Sequence, residues 1–465
     1  MVFSENSFLI VFLPLLLVIY HLPCFKSTKT KNIILLLFSL FFYTWGEPVF
    51  VFFLLIEIII NWLLGGIIDN AEGKKRKIYC IAAIVLDITV LVVFKYLGFI
   101  LENVSLLVPK LDIPETTISL PVGISFFTFQ IISYIIDLYR KEIKVSKSVW
   151  KLMLYVMMFP KLLQGPIVRY KLIEHEMDYR EENEERWRKG FNRFAIGLGK
   201  KVLIANYLGM VVDSIFATAT EMNLSVALAF YGSILYSLQI YFDFSGYSDM
   251  AIGLGLMFGF HFEENFNYPY MAMSITDFWR RWHISLSSWF RDYVYIPLGG
   301  NRCSKQLQIR NMFVVWLLTG IWHGANWTFI MWGLLYFLLL LMEKYLLKPG
   351  KQGGIYRLYT LFWINLAWVL FRSENVGLAL QYIGNMFGVN ANGLCDTLTC
   401  GYMYSSWGIC TLAIIGVFPT YKVILKMFSE KAREYFENIY AVSILILCIC
   451  MSISGQYNPF IYFNF

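Results

Sequence analysis

The sequence GIWHGANW, at residues 320–327, lies inside an otherwise apolar run that extends from residue 311 to residue 342. A continuous helix of that length would measure about 45 Å, whereas the hydrocarbon core of a bilayer is about 30 Å thick. The run therefore predicts two helical pieces, and we expect the break at Gly320 and Gly324. Irregular backbone at membrane depth is tolerated where it lines a cavity, so we expect His323 in a buried, partly wet site.

His323 is an ionisable residue in a segment that should otherwise be apolar. Such residues are costly inside a membrane and mark proton, ion or substrate chemistry. The alternative is a histidine that only hydrogen-bonds neighbouring helices. Close to it in the sequence are Trp322, Asn326 and Trp327, which provide hydrogen-bonding groups and planar aromatic rings. Because imidazole titrates near neutral pH, this pattern favours a base that handles a substrate.

The composition is that of a membrane protein: of 465 residues, 58% are hydrophobic and only 15% are charged. We predict an all-α polytopic integral membrane protein. It is expected to form one membrane-embedded domain over residues 1–465, with a catalytic core at about 120–345. Counting the broken run twice gives about 11–12 transmembrane segments, which lie near residues 7–23, 32–45, 48–68, 78–101, 120–138, 195–217, 226–242, 311–342, 358–371, 405–425 and 438–456.

The net charge of +7 does not indicate nucleic-acid binding, because Lys and Arg stand in short clusters between apolar runs, as in cytoplasmic loops. Alternation from these loops places the amino terminus outside. The first apolar run has no positive n-region and no small-residue cleavage site, which predicts a retained helix. No zinc-binding spacing is present, and we expect no metal. Cys395 and Cys400 would be able to form a disulfide only if their loop faces an oxidising exterior.

Several motifs of the chain are long enough to be specific. WHG at 322–324 follows DFWRRWHISLS at 277–287 and PLGGNR at 297–302. With these motifs the sequence resembles the membrane-bound O-acyltransferases, and within them the bacterial alginate O-acetylation branch. The opening MVFS and the closing YNPFIYF at 457–463 are similar to that branch too. The resemblance runs nearly end to end, and it implies helices that surround a central tunnel.

The resemblance implies a transfer reaction across the bacterial cytoplasmic (inner) membrane. An acetyl group would pass from a cytoplasmic thioester, acetyl-CoA, to a hydroxyl of an extracytoplasmic polysaccharide or cell-wall glycan. A partner esterase-like transferase would carry it to the final acceptor, and no cofactor would stay bound. His323 would remove the hydroxyl proton as base. His283, at the family's second signature position, would place or polarise the substrate; the alternative is that it braces the cavity through hydrogen bonds.

Further candidates line the expected substrate path. The indoles of Trp322 and Trp327 and the amide of Asn326 are candidates to stabilise the developing oxyanion. Asp243 stands in YFDFSGYSD, which we predict at the end of an apolar helix. By resemblance, Trp282 and Asp243 belong to the cavity wall, and Gln164, in FPKLLQGPI, lies near the donor path.

Three arginines flank His283 in a polar and aromatic stretch at residues 261–310. This stretch contains no clean crossing, and we expect it to fold into the core as short helices. Arg280, Arg281 and Arg291 suit the phosphates of coenzyme A or of a phosphopantetheine carrier, because guanidinium binds phosphate in a bidentate way. Ordinary positive charges of a cytoplasmic loop are the alternative.

Other functions stay open on the sequence alone. D-alanyl transfer from a carrier-protein thioester to teichoic acid is the nearest alternative, although PLGGNR and the carboxy-terminal NPF favour the acetyl branch. A proton-coupled exporter would also use buried histidines and a broken helix. No pair of matching interrupted segments occurs in two halves of the chain, which disfavours the exporter. A catalytically silent scaffold is disfavoured because both histidines are present.

Overall fold

The computed structural model describes residues 1–108, 118–347 and 353–454, and these residues contain helices and loops but no β-strand. The predicted all-α class is confirmed. The closing YNPFIYF at 457–463 lies outside the described residues. The first helices are α1 (Leu13–Tyr20), preceded by a π-helical turn Ser7–Phe12, α2 (Thr28–Gly46), α3 (Phe50–Asn70), α4 (Gly73–Leu91), α5 (Leu97–Leu107), α6 (Ile124–Tyr139), α7 (Val149–Met157), α8 (Phe159–Leu162), α9 (Tyr170–Asp178) and α10 (Glu184–Gly199).

The remaining helices carry most of the predicted site. They are α11 (Asn206–Glu221), α12 (Val226–Met257), α13 (Ile275–Trp279), α14 (Ile284–Phe290), α15 (Lys305–His323), α16 (Trp327–Met342), α17 (Gly354–Arg372), α18 (Val376–Met386), α19 (Thr397–Gly416), α20 (Thr420–Leu425) and α21 (Glu430–Ile453). Short π-helical segments join α4 to α5 and α10 to α11, and extend α14 and α16.

The described residues group into two compact units. Unit 1 comprises Met1–Phe194 and Met250–Glu263, and unit 2 comprises Ala195–Asp249 and Glu264–Phe465. Helices α10 and α12 each contain a boundary between the units. Both histidines of the predicted site belong to unit 2. The single domain with a core at 120–345 stays a prediction.

The membrane character of the chain is confirmed by the length and composition of its helices. Within the described ranges, seven helical segments are long and apolar enough to cross a membrane, namely Phe50–Asn70, Gly73–Leu107, Glu184–Glu221, Trp327–Leu347, Gly354–Arg372, Thr397–Gly416 and Glu430–Ile453. Two shorter apolar helical segments are Ser7–Tyr20 and Ile124–Tyr139. The chain is therefore a multi-pass membrane protein, and the count of about 11–12 crossings stays a prediction.

The run 311–342 is broken, as predicted, but only at one of the two expected glycines. Helix α15 ends at His323 and α16 begins at Trp327, with Gly324 between them in an extended conformation. Gly320 is inside α15, so its placement at the break was wrong. Its role is packing: a Cβ there would lie 2.5 Å from the carbonyl oxygen of Phe329 and 3.3 Å from Cα of Gly333. The glycines let α15 and α16 cross closely.

We expect Gly320→Ala to destabilise this helix pair by about 2–3 kcal/mol, because the added methyl group meets backbone that cannot move independently. Thermal unfolding of the purified chain should begin several degrees lower. Gly408→Ala is the matched control: Gly408 is also helical, in α19, and nothing lies within 4 Å of a Cβ there. Equal melting temperatures for the two variants would contradict the proposed packing role.

Two further expectations concern the polar segments. Residues 261–310 form short helices with buried aromatic faces, as predicted. The YFDFSGYSD segment is not at a helix end, because α12 continues without interruption to Met257. That placement of Asp243 was wrong. The sequence gives no stop signal after Asp249, where Ala251, Leu254 and Met257 continue the buried face.

Candidate active site

His323 lies at the carboxyl end of α15 in an aromatic enclosure, and only 5% of its surface is exposed. The rings of Trp322, Trp332 and Phe371 each have their centroid 5.0 Å from that of the imidazole, in edge-to-face arrangements. Such contacts fix the orientation of the ring. The Phe329 ring occupies the space that a side chain at Gly324 would need, so glycine follows the histidine here.

Trp322 connects the two histidines of the sequence prediction. Its ring centroid is 5.0 Å from that of His323 and 6.0 Å from that of His283. Phe244 of α12 also packs on His283, with ring centroids 4.7 Å apart. The structure therefore brings His283, Trp322 and His323 into one aromatic cluster, although forty residues separate the histidines along the chain.

The backbone presents His283 in an unusual conformation. The residue precedes α14 and adopts φ 43° and ψ 54°, the left-handed region that few residues other than glycine occupy. A non-glycine residue held there costs free energy, and such positions cluster at functional sites. The side chain is 1% exposed, so the strain fixes a buried imidazole rather than a surface turn.

Asn265 determines which nitrogen of His283 carries the proton. Its Oδ1 accepts hydrogen bonds from the backbone N–H of Ser285 at 3.2 Å and from the Ser285 hydroxyl at 2.9 Å. Because a backbone N–H can only donate, this atom must be the amide oxygen. The same oxygen lies 3.1 Å from Nδ1 of His283, so Nδ1 must donate and carry the proton. The neutral ring then has an unprotonated Nε2.

Nε2 of His283 is buried and finds no hydrogen-bond partner among the described residues. Burial lowers the pKa of this histidine, which lies outside the seven membrane-crossing helices, to about 3. The ring is therefore neutral at physiological pH. A buried acceptor without a partner costs free energy, and a substrate group that donates a hydrogen bond would relieve that cost. Nε2 of His283 can therefore accept a hydrogen bond from a substrate but cannot donate one.

The residues predicted for the cavity wall and the donor path are all buried, but each lies in a different environment. Trp282 is buried beside Trp368, with ring centroids 4.9 Å apart, and is part of the aromatic core. Asp243 is buried and forms an ion pair with Lys201, which is also buried. Gln164 belongs to unit 1, follows the short helix α8 and is completely buried. Neither polar atom of its amide has a partner in the part of the chain that the structure describes.

Asn326 and Trp327 stand at the start of α16. The Oδ1 of Asn326 accepts from the Thr328 N–H at 3.0 Å, and its Nδ2 donates to the Glu374 carbonyl at 2.7 Å. The oxygen caps α16 and the nitrogen is held by Glu374, so both ends of the amide have partners, which disfavours a direct role toward an oxyanion. Trp327 is 52% exposed, in contrast to the buried side chains around His323.

Of the three candidate arginines, two are engaged locally. Arg281 pairs with Asp277 at 2.9 Å, and Arg291 pairs with Asp292 at 2.6 Å. Arg280 is exposed and has no hydrogen bond or ion pair with any residue of the described ranges. It is therefore the arginine most open to an anionic ligand.

Three partners of the predicted site residues were missed by the sequence analysis: Asn265 beside His283, Trp332 beside His323, and Lys201 beside Asp243. Trp332 is completely buried, contacts the His323 ring, and its indole N–H has no acceptor among the described residues. It is thus a better placed hydrogen-bond donor than Trp327. A polar residue in an aromatic segment, such as Asn265 in FEENFNYPY, was the one available signal. Only the fold shows that it faces His283.

Two remaining predictions concern ligands and cysteines. Within the described residues no group of three or more His, Cys, Asp or Glu side chains could hold a metal ion. Cys395 and Cys400 are free, exposed thiols in this structure. Unit 1 contains an open cavity of about 860 Å³, lined by mixed apolar and charged side chains that include Leu17, His21, Trp187 and Arg188. None of the predicted site residues lines it.

Comparison with known proteins places these features in a family. Residues 138–349 match the model of the membrane-bound O-acyltransferase family, a range that includes both histidines. The chain is 40% identical to the probable alginate O-acetylase AlgI of Pseudomonas aeruginosa over 83% of this chain and 75% of the relative. It is 32% identical to a peptidoglycan O-acetyltransferase of Helicobacter pylori over 100% and 98%, and 31% identical to a teichoic acid D-alanyltransferase of Bacillus subtilis over 51% and 62%.

Proposed function

Because this chain belongs to the membrane-bound O-acyltransferase family, we propose that it O-acetylates a polysaccharide or cell-wall glycan outside the cytoplasm. The chain is a multi-pass membrane O-acyltransferase, and acetyl is the group that its more similar relatives transfer. One observation carries the proposal on the structural side: two buried histidines share one aromatic cluster, and one of them presents an unprotonated nitrogen without a partner in the described residues.

The donor in this proposal is a cytoplasmic thioester, acetyl-CoA, and the enzyme lies in the bacterial cytoplasmic (inner) membrane. Clusters of Lys and Arg between the apolar segments support a cytoplasmic side for those loops. Arg280 supports binding of the donor's phosphates, because its guanidinium is exposed and unengaged in the described structure. Gln164 remains a candidate for the donor path, because its buried amide has no partner among the residues that the structure describes.

In the reaction, the acceptor hydroxyl oxygen attacks the thioester carbonyl carbon. His323 takes the hydroxyl proton, the C–S bond breaks, and the thiol leaves after it has received a proton. The N–H of Trp332, beside His323, supports stabilisation of the oxyanion that forms on the carbonyl oxygen. His283 cannot serve that oxyanion in its present tautomer, since Nε2 has no proton to donate. Its acceptor nitrogen suits placement of a substrate N–H or second hydroxyl instead.

The proposal includes a partner protein, because an enzyme enclosed in the membrane would pass acetyl to an extracytoplasmic transferase that reaches the final glycan. D-alanyl transfer is the second candidate. The similarity to the teichoic acid D-alanyltransferase supports it over about half of the chain. The similarity to O-acetyltransferases covers more of the chain at equal or higher identity, which favours acetyl.

The test is the identity of the acid that mild base releases from envelope glycans. Cells that express the chain with its native neighbours should release acetate, and cells in which the gene is deleted should release several-fold less. Mass spectrometry separates acetate from D-alanine and shows which glycan fraction carried the ester. Release of D-alanine would move the function to the second candidate. Equal ester content with and without the gene would contradict both.

A further inference from the structure

Glu57, Asn61 and Asp87 form a buried polar group in unit 1 that acyl transfer does not use. Glu57 and Asn61 lie one turn apart on α3, and Asp87 lies on the neighbouring α4. Both helices belong to segments that are long and apolar enough to cross a membrane. Glu57 is 5% exposed, and Asn61 and Asp87 are completely buried. Glu57 is about 10 Å along α3 from its start, away from either end.

Asn61 holds the group together. Its Nδ2 donates to the Asp87 carboxylate at 2.7 Å and to the backbone carbonyl of Glu57 at 3.1 Å. Because a backbone carbonyl can only accept, the donor must be the amide nitrogen, so the orientation of this amide is determined. Its Oδ1 is therefore a free acceptor, and it has no partner among the described residues.

Four buried oxygen atoms of this group are without partners in the described part of the chain. They are both carboxylate oxygens of Glu57, Oδ2 of Asp87 and Oδ1 of Asn61. Neither carboxylate forms an ion pair with a described residue, and the two lie within electrostatic range of each other. Tyr43 on α2 also lies within range of Glu57, but its hydroxyl donates to the Val122 carbonyl at 3.2 Å. No described donor serves the four oxygens.

An apolar environment does not tolerate two adjacent, uncompensated negative charges. Protons on the carboxyl groups, a bound cation or both must therefore compensate this charge. Ca²⁺ takes six to eight oxygen ligands and Mg²⁺ gives up its waters reluctantly, whereas this buried group offers four free oxygens in the described part of the chain. We propose that Glu57, Asn61 and Asp87 form an intramembrane binding site for one monovalent cation, Na⁺. A proton competes with Na⁺ for the site, and one further proton, bound together with Na⁺, balances the second carboxylate charge.

The test measures the melting temperature of the purified full-length chain at pH 8 in equimolar NaCl or choline chloride. Because a ligand that binds only the folded state stabilises it, NaCl should raise the melting temperature by at least about 3 °C. The rise should disappear in Glu57→Gln and in Asp87→Asn, which keep the shape and remove the charge. It should persist in Glu102→Gln, which removes an exposed carboxylate of α5.

Two results would overturn the proposal. One is the same melting temperature in both salts; if acid then stabilises the wild-type chain, the pair binds protons alone. The other is a NaCl response that survives in both variants. If a variant does not fold, radiolabelled Na⁺ decides: it should bind the wild-type chain and be displaced by unlabelled Na⁺ and by acid, and not by choline.

Discussion

Replacement of His323 by glutamine is expected to lower the rate of acetyl transfer by about 10²- to 10⁴-fold, while the chain remains folded in the membrane. General base catalysis typically contributes 10²- to 10⁴-fold, and a glutamine cannot take the hydroxyl proton. Glutamine is also the gentlest change of shape available within the ring enclosure of Trp322, Trp332 and Phe371. The measurement is ester-linked acetate per unit of membrane-inserted chain, with the melting temperature measured alongside.

The matched control is His175→Gln, because His175 lies on α9 with an exposed side chain. Its activity should equal that of the wild-type chain. An active His323→Gln variant, with more than about a third of wild-type acetate, would remove His323 from the role of base. Loss of acetate together with a collapse of the melting temperature would instead assign His323 to packing.

Replacement of Asn265 by alanine is expected to lower kcat by about 10²-fold, with a smaller effect on KM. Without the amide oxygen, Nδ1 of His283 loses its acceptor and the imidazole is free to place its proton on Nε2. In that fraction of the molecules, Nε2 of His283 is protonated and can no longer accept a hydrogen bond. Asn265→Asp should restore much of kcat, because a carboxylate also accepts from Nδ1 and the Ser248 hydroxyl can reverse its 3.1 Å hydrogen bond.

The pH dependence of kcat shows whether Asn265 positions the proton of His283 or only holds the loop in place. A carboxylate beside Nδ1 favours the protonated ring, so Asn265→Asp should shift the acid limb of the kcat profile to higher pH. Asn267→Ala, at an exposed residue of the same loop, should change neither kcat nor the profile. If alanine and aspartate at position 265 lowered activity equally and left the pH profile unchanged, Asn265 would only hold the loop.

Much of the fold could be predicted because its signals are local. A run too long for one crossing, with a glycine after a histidine, predicted the break between α15 and α16. The stretch at 261–310 lacks a sustained apolar period, and it forms short helices. Gly320 shows the limit of this reasoning, because a glycine needed for close helix packing and a glycine at a break look the same in sequence.

The chemistry of the site depends on contacts between distant residues, which the sequence does not reveal. His283 and His323 were recognisable from residue type and motif. Asn265 is eighteen residues from His283, and Lys201 is forty-two residues from Asp243. Both separations are too long for a contact within one helix or strand, so only tertiary structure brings the partners together. Asn326 is the opposite case: its amide oxygen has a local partner at the start of α16, and its contact with a substrate stays a prediction.

The left-handed backbone at His283 also limits which amino acids this position can hold. Residues branched at Cβ are strained at φ 43°, whereas glycine, asparagine, aspartate and histidine enter this region more readily. Within that short set, only asparagine and histidine are neutral at physiological pH and still offer a hydrogen-bond acceptor. The backbone conformation at position 283 thus restricts which side chains can contact a substrate there. Any library of variants at this position should begin with asparagine.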